Sequence, residues 1–158
     1  IGRASQGVRG IRLKATDEVV DMSIVEDESK DCLLCVMENG IGKATVVTEY
    51  RLQSRGGKGV KTANITEKSG KMVSGKVVDL KAKADLIIIS THGQTIRMPL
   101  EEVPSQGRTT QGVRLMRLDG NDSVASVSLI PHLTKELEAG MEEIQNEVSE
   151  LMEEIGVA

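Results

Sequence analysis

Seven residues carry the densest chemistry in the chain: Gln53-Ser54-Arg55-Gly56-Gly57-Lys58-Gly59. Glycine reaches positive φ at no steric cost and leaves backbone N–H groups uncovered. Successive bare N–H groups form a concave anion site, to which Arg55 and Lys58 add full charges. The ligand that suits such a loop is phosphate. A nucleotide P-loop would need Gly-x-x-x-x-Gly-Lys-[Ser/Thr]. Here Leu52 stands where the first glycine belongs and Gly59 where the Mg²⁺-binding hydroxyl belongs, so that reading is excluded.

Other reactive groups are sparse. The two histidines are His92 and His132, and no Ser/His/Asp or paired-carboxylate pattern accompanies them. His92 precedes Gly93 in what reads as a hairpin turn, where a lone histidine is ordinarily just solvated. The two cysteines lie in Asp31-Cys32-Leu33-Leu34-Cys35-Val36-Met37, which reads as a buried strand. Strand positions i and i+3 face opposite sides, so the two thiols should pack in the core rather than share a metal ion. Two cysteines and no secretory segment suit a reducing cytoplasm. No apolar run approaches ~18 residues, so no membrane span is expected.

The elements that must position the loop are repeated. Residues 2–25 align without a gap on residues 107–130, and 11 of 24 positions are identical. The matches include Arg3/Arg108, Gly7/Gly112, Val8/Val113, Arg9/Arg114 and Asp17/Asp122. Halfway between, Arg55, Gly59, Val60 and Lys61 fall into the same register. A period near 50 residues, read three times, marks a solenoid, propeller or array. Each unit reads as a loop Arg-x-x-x-Gly-Val-[Arg/Lys], a strand (8–13, 60–65, 113–118), a second strand (18–25, 72–78, 123–130), an apolar third (32–37, 86–90) and a half-buried fourth (42–47, 95–98). Short connectors, 50–53 and 101–104, lead back to the next loop. Four short strands per unit with turns between is the pattern of a propeller blade. The expectation is an all-β chain with repeats over 1–130, blades near 17–66 and 70–118 and partial units at each end. Two to three blades cannot close a ring of ~4–8. The chain also begins with Ile1 inside a repeat, and so reads as a piece of a longer polypeptide.

The formal charge of −4 conceals an asymmetry. Residues 132–158 hold eight Glu and one Lys; residues 1–131 hold 19 Lys and Arg against 16 Asp and Glu. Within 131–158, Leu137, Met141, Ile144, Val148, Leu151 and Ile155 recur at alternating spacings of 4 and 3, an a/d seam on an acidic amphipathic helix. Three readings stay open: a helix docked on the body, a short coiled coil that dimerises the chain, or an acidic strip competing with nucleic acid for the basic surface.

The body recurs in cations as well as glycines. Arg3 and Arg9, then Arg55, Lys58 and Lys61, then Arg108 and Arg114 stand at one point of each unit. Lys43, in a Gly-Ile-Gly-Lys turn, and Arg97 are candidates to extend the strip. Singly, each would be a solvated loop cation. In register they suit a long polyanion better than a small ligand. Tyr50 is the sole aromatic residue, so no stacking platform for single strands exists. Nothing resembles a recognition helix. Binding is expected at duplex backbone with little sequence readout.

The loop closely resembles the Gln-Arg-Arg-Gly-Gly-Lys-Gly box of the bacterial DNA gyrase A C-terminal domain family. Six of seven positions match and Ser54 replaces an arginine. Gly7-Val8-Arg9-Gly10-Ile11-Arg12-Leu13, Asn39-Gly40-Ile41-Gly42-Lys43 and Gly107-Arg108-Thr109-Thr110-Gln111-Gly112-Val113 are similar to that family too. The resemblance covers residues 1–130. It implies part of a six-bladed β-pinwheel whose neighbouring blades exchange a strand. It also implies duplex-DNA wrapping around the rim, in support of ATP-dependent negative supercoiling. Together with the repeat and the glycine-rich loop, it makes Arg3, Arg9, Lys43, Gln53, Arg55, Gly56, Gly57, Lys58, Gly59, Lys61, Arg97, Arg108 and Arg114 the expected DNA-phosphate contacts. The implied partners are DNA, the remaining gyrase A blades, the cleavage domain and gyrase B. The implied location is the cytoplasm, at the nucleoid. ATP, Mg²⁺ and the cleavage tyrosine would lie elsewhere in the holoenzyme, with no cofactor in this piece. The family's box usually opens the first blade, whereas here it stands in what reads as the penultimate repeat. The related C protein of topoisomerase IV has similar blades with a poorer box. Against these readings stands a propeller-like protein-interaction module that partners through its heptad tail.

Overall fold

A computed structural model describes residues 2–132 and, in the tail, Ile144, Val148, Leu151 and Met152. Two apolar runs seed the fold. Asp31–Met37 (β1) and Ala84–Ser90 (β4) are largely buried apolar strands. Branched and aliphatic side chains on both faces fit a strand covered on both sides. Each is the second strand of an antiparallel sheet. The first sheet runs β3-β1-β2-β6, with Ile41–Val46 as β2, Met72–Asp79 as β3 and Val113–Arg114 as β6. The second runs β5-β4-β7, with Thr95–Pro99 as β5 and Val124–Pro131 as β7. The connectors after β2 and β5 each begin with a 3-10 turn, Val47–Glu49 and Leu100–Glu102.

A sheet is not a contiguous repeat. β3, the second strand of the middle unit, pairs with β1 of the first unit, Cys32 opposite Val78. β7, the second strand of the third unit, pairs with β4 of the middle unit in the same manner, Leu86 opposite Leu129. β6 reaches back further, to β2, with Ile41 opposite Arg114. Each sheet is therefore completed by chain from later units. This exchange makes neighbouring units share one core. Alternate residues Cys32, Leu34 and Val36 of β1 meet Leu86 and Ile88 of β4 and Val127 of β7 in a single cluster. Burial of each such aliphatic side chain is worth ~1.5–3 kcal/mol. Cys35 points the other way, into a second cluster with Met37, Ile41 and Ala63. The two thiols are thus unpaired and on opposite faces, as strand geometry requires.

Four expectations for strands change. Residues 8–13 make only a single parallel bridge, Ile11 to Gly57, and residues 18–25 form no strand. The repeat places 18–25 where β3 and β7 stand, on the free edge of a β1-like strand. β1 and β4 each already carry that partner, so 18–25 lacks a β1-like strand to pair with and lies beside the outer edge of β3 without forming a ladder. Side chains fasten it instead: Asp21 Oδ2 accepts from Ser74 Oγ at 3.2 Å and from the Gly75 N–H at 3.3 Å. Residues 60–65 are irregular, and 113–118 shrinks to the two residues of β6. Beyond Arg114 the N–H groups of Leu115 and Met116 both bond to Gly40 O at the β1–β2 turn, which removes them from the ladder. Among the described residues the second sheet has three strands rather than four, because none pairs with β5 as β6 pairs with β2. The helix expected over 131–158 lies outside the described residues except at its four described positions, which are helical and exposed. Among the described residues no helix is long and apolar enough to cross a membrane.

Candidate nucleic-acid interface

All three loops of the repeat fold through one tight turn with the arginine near its apex. The Ser5 N–H bonds to Gly2 O at 3.1 Å and the Thr110 N–H to Gly107 O at 3.2 Å, while Arg55 and Gly56 occupy the matching turn of the box. The glycine four residues after each arginine has positive φ: Gly7 at 77°, Gly59 at 82°, Gly112 at 95°. Every described residue with positive φ is glycine, which explains why this position is invariant in the three copies. Gly56 adds a second such site at 71°, where its counterparts Ala4 and Thr109 keep negative φ.

Each loop rests on the segment that leaves the loop before it. The Arg12 N–H donates to Gly57 O and the Gly56 N–H to Gly10 O, both at 2.7 Å. One unit on, the Asn64 N–H donates to Thr110 O at 3.0 Å, the same bond shifted by one repeat. Consecutive loops are laid side by side by the backbone itself.

The cations at these loops divide into two kinds. Arg3, Arg9, Arg55, Lys58 and Arg114 are exposed and make no ion pair among the described residues. Gln53 turns its amide back to the Arg51 and Leu52 carbonyls at 3.3 Å, and Gly57 supplies its carbonyl to Arg12. Lys61 is exposed and reaches Asn64 Oδ1 at 3.0 Å. Arg108 is held. Its Nη1 donates to Lys61 O at 2.8 Å, its guanidinium lies 5.8 Å above the Tyr50 ring, and its N–H donates to Glu49 Oε2 at 3.0 Å.

Two expected members of the strip are otherwise employed. Lys43 is fully buried. Its ammonium donates to Gly107 O at 2.6 Å, Arg108 O at 2.8 Å and Thr110 Oγ1 at 3.1 Å, so all three protons are taken. Burial pushes its pKa down, and Cys35 and Glu49 pull it back up. Lys43 is a strut beneath the third loop, not an exposed phosphate contact. Arg97 is exposed but ion-paired with the buried Asp85, whose other oxygen lies 2.8 Å from His132 Nε2. The His132 bond, burial in opposition and then Arg97 together leave that carboxyl below its ordinary range. His92 stands beside Asp122, which accepts the His92 N–H at 3.0 Å. Sequence reasoning missed Arg51: it lines a cleft of about 410 Å³ with Glu49, Gly59, Val60, Lys61 and Arg108. Arg51 has no repeat signal, because its counterpart one unit on is Pro104. No group of three or more His, Cys, Asp or Glu side chains suited to a metal ion occurs among the described residues.

Strand-exchanged sheets with one cationic turn per unit define a repeated-blade β protein that presents a cationic loop at the same point of each unit. The family described as the DNA gyrase C-terminal domain, a β-propeller, matches residues 1–26, 33–79 and 84–131, and the chain belongs to that family. It is 42% identical over 130 residues to the DNA gyrase A protein of Staphylococcus epidermidis, covering 82% of this chain and 14% of that protein. Against the gyrase A protein of Staphylococcus aureus it is 41% identical over 150 residues, covering 95% and 16%. The chain thus spans about a seventh of the length of these relatives. A solved DNA gyrase A C-terminal domain superposes with a TM-score of 0.56 at 28% identity, over 63% of this chain and 33% of that one. The C-terminal domain of a DNA topoisomerase IV superposes at 0.75 with 18% identity, over 87% and 42%, a likeness of fold.

Proposed function

We propose that this chain is a duplex-DNA-wrapping segment of a gyrase A protein, without a catalytic centre of its own. The observation that carries this reading is the stepped arrangement of loops. Box and third loop are each bonded to the segment that follows the preceding loop, and each unit adds exposed or rim-held cations at the same point. A phosphate backbone running across the steps meets positive charge once per unit, whatever its base sequence. In the complete enzyme this segment would work with further blades, the cleavage domain and gyrase B, where ATP and Mg²⁺ would drive negative supercoiling.

The test is a salt titration of binding to unrelated duplexes of equal length. Log affinity should fall linearly with log salt, with a slope of about −0.9 per phosphate contacted, and differ little between sequences. Arg55→Ala with Lys58→Ala should flatten the slope by ~2. Undiminished affinity and slope in that double variant would overturn the phosphate-loop reading.

A further inference from the structure

The cleft beside the box joins three successive units. The connector after β2 provides Glu49 and Arg51, the exit of the box provides Gly59, Val60 and Lys61, and the third loop provides Arg108. Three cations face one carboxylate. That carboxylate is engaged, since Glu49 Oε2 accepts the Arg108 N–H. One wall is set in advance: the Arg108 guanidinium is bonded to Lys61 O and stacked on Tyr50, and Lys43 braces the loop beneath it. Tyr50 is fixed in turn by its hydroxyl bond to Thr62. Gly59, at positive φ, brings bare backbone to the cleft. Arg51 and Lys61 are exposed and make no ion pair among the described residues. A pre-set guanidinium flanked by two exposed cations, of which Lys61 spends one proton on Asn64, matches a tetrahedral oxyanion.

We propose that this cleft is a phosphate socket that seats one backbone phosphodiester of duplex DNA between the box and the third loop, with Arg51 as its distinctive cation. The inference rests on the DNA-binding reading and sharpens it. The in-register cations recur from unit to unit, whereas Arg51 is replaced by Pro104 one unit on. The socket therefore belongs to one blade junction and fixes the DNA at a point where the repeated loops alone would let it shift.

The experiment measures duplex affinity of the full chain across a salt series for the native sequence, Arg51→Ala, Arg51→Lys and Arg117→Ala, an exposed cation outside the cleft. Arg51→Ala should lower affinity on the order of fivefold and flatten the salt slope by ~0.9, one phosphate contact. Arg51→Lys should restore most of the slope, and Arg117→Ala should leave it unchanged. A parallel arm follows the amides of Gly59, Lys61 and Arg108 by NMR with inorganic phosphate or duplex DNA. Movement with DNA at concentrations where inorganic phosphate moves nothing supports the socket. If inorganic phosphate saturates those amides and DNA leaves them unmoved, the cleft is a free-phosphate site and the proposal fails. An unchanged slope in Arg51→Ala, beside a flattened slope in the Arg55→Ala, Lys58→Ala variant, overturns the socket and leaves the DNA reading intact. Absence of duplex binding by the native chain overturns both.

Discussion

Arg55 and Arg108 occupy the same place in the repeat, yet the fold treats them differently. Arg55 sits on Gly56 and Gly57, beside no acidic partner, and stands in solvent. Arg108 sits on a loop whose carbonyls are held by a buried lysine, whose amide is held by Glu49, and whose guanidinium is stacked and bonded. The difference is one of preparation. A free arginine surrenders up to ~2 kcal/mol of rotamer entropy when it takes a phosphate, whereas a clamped one has already surrendered it on folding. On the proposed DNA-binding reading, the box adapts to a passing backbone, whereas the third loop holds a fixed charge. One repeat pattern yields both because the neighbours of the loop, rather than the loop itself, decide.

The sharpest break of that comparison is at Lys43. Replacing it with Met keeps most of the volume but leaves Arg108 O without a donor and Gly107 O with only those of Thr110. At ~1–3 kcal/mol for the orphaned carbonyl and ~1 kcal/mol for the weakened one, urea unfolding should show a loss of ~2–4 kcal/mol. A loss below ~0.5 kcal/mol would remove the strut. The next largest effect distinguishes two glycines. A Cβ on Gly112 would stand 2.7 Å from Gly42 O, whereas one on Gly56 would have Arg9 O no nearer than 3.6 Å. Gly112→Ala should therefore cost ~3 kcal/mol or more, and Gly56→Ala only the ~1–2 kcal/mol of left-handed backbone. Equal costs would mean that the third loop is no more tightly seated than the box.

A smaller effect separates charge from structure. Arg55→Ala with Lys58→Ala should leave unfolding within ~0.5 kcal/mol and weaken duplex binding ~10-fold, or ~1.4 kcal/mol. Arg108→Ala should weaken both, losing ~1 kcal/mol of stability with its stack and bond. The smallest effect is a pH dependence at Asp122, on the turn between β6 and β7. Burial opposes its charge, but bonds from Ser90, Thr91 and the His92 and Ser123 N–H groups hold the carboxyl well below its ordinary range. Its contribution is present above the unfolded carboxylate pKa near ~3.9 and is lost as pH falls through the lower folded value. Thermal midpoints below about pH 4 should fall more steeply for the native chain than for Asp122→Asn. Parallel curves would show that this aspartate does not anchor the turn.

Strands buried on both faces read clearly in the sequence, and the more mixed runs of β2, β3, β5 and β7 read almost as well. The run Cys32-Leu33-Leu34-Cys35-Val36-Met37 and the run Leu86-Ile87-Ile88-Ile89 formed β1 and β4 because their apolar side chains leave few alternatives. Residues 18–25 hold the same place in the repeat as β7 and form no strand, since a strand needs an edge and pairing is not written in its own letters. Lys43 reads as a surface cation, and Arg97 as an unpaired one, for a related reason. A lysine after Gly-Ile-Gly reads the same whether its ammonium meets water or three oxygen atoms of a loop far along the chain. Arg51 escaped notice because the repeat was the filter, and Arg51 lies outside it.

What the sequence determined by itself was the periodic part: an all-β chain, a unit near 50 residues, the glycine that each turn requires, and one cation per loop. These are local requirements of backbone conformation and burial, and each is visible within a few residues. What only the tertiary structure decided was which strand completes which sheet, which cations stay free, and which side chains converge on the cleft. Those depend on contacts between units far apart in the chain, where desolvation and hydrogen bonding turn one cation into a strut, another into a clamped charge and leave a third in solvent.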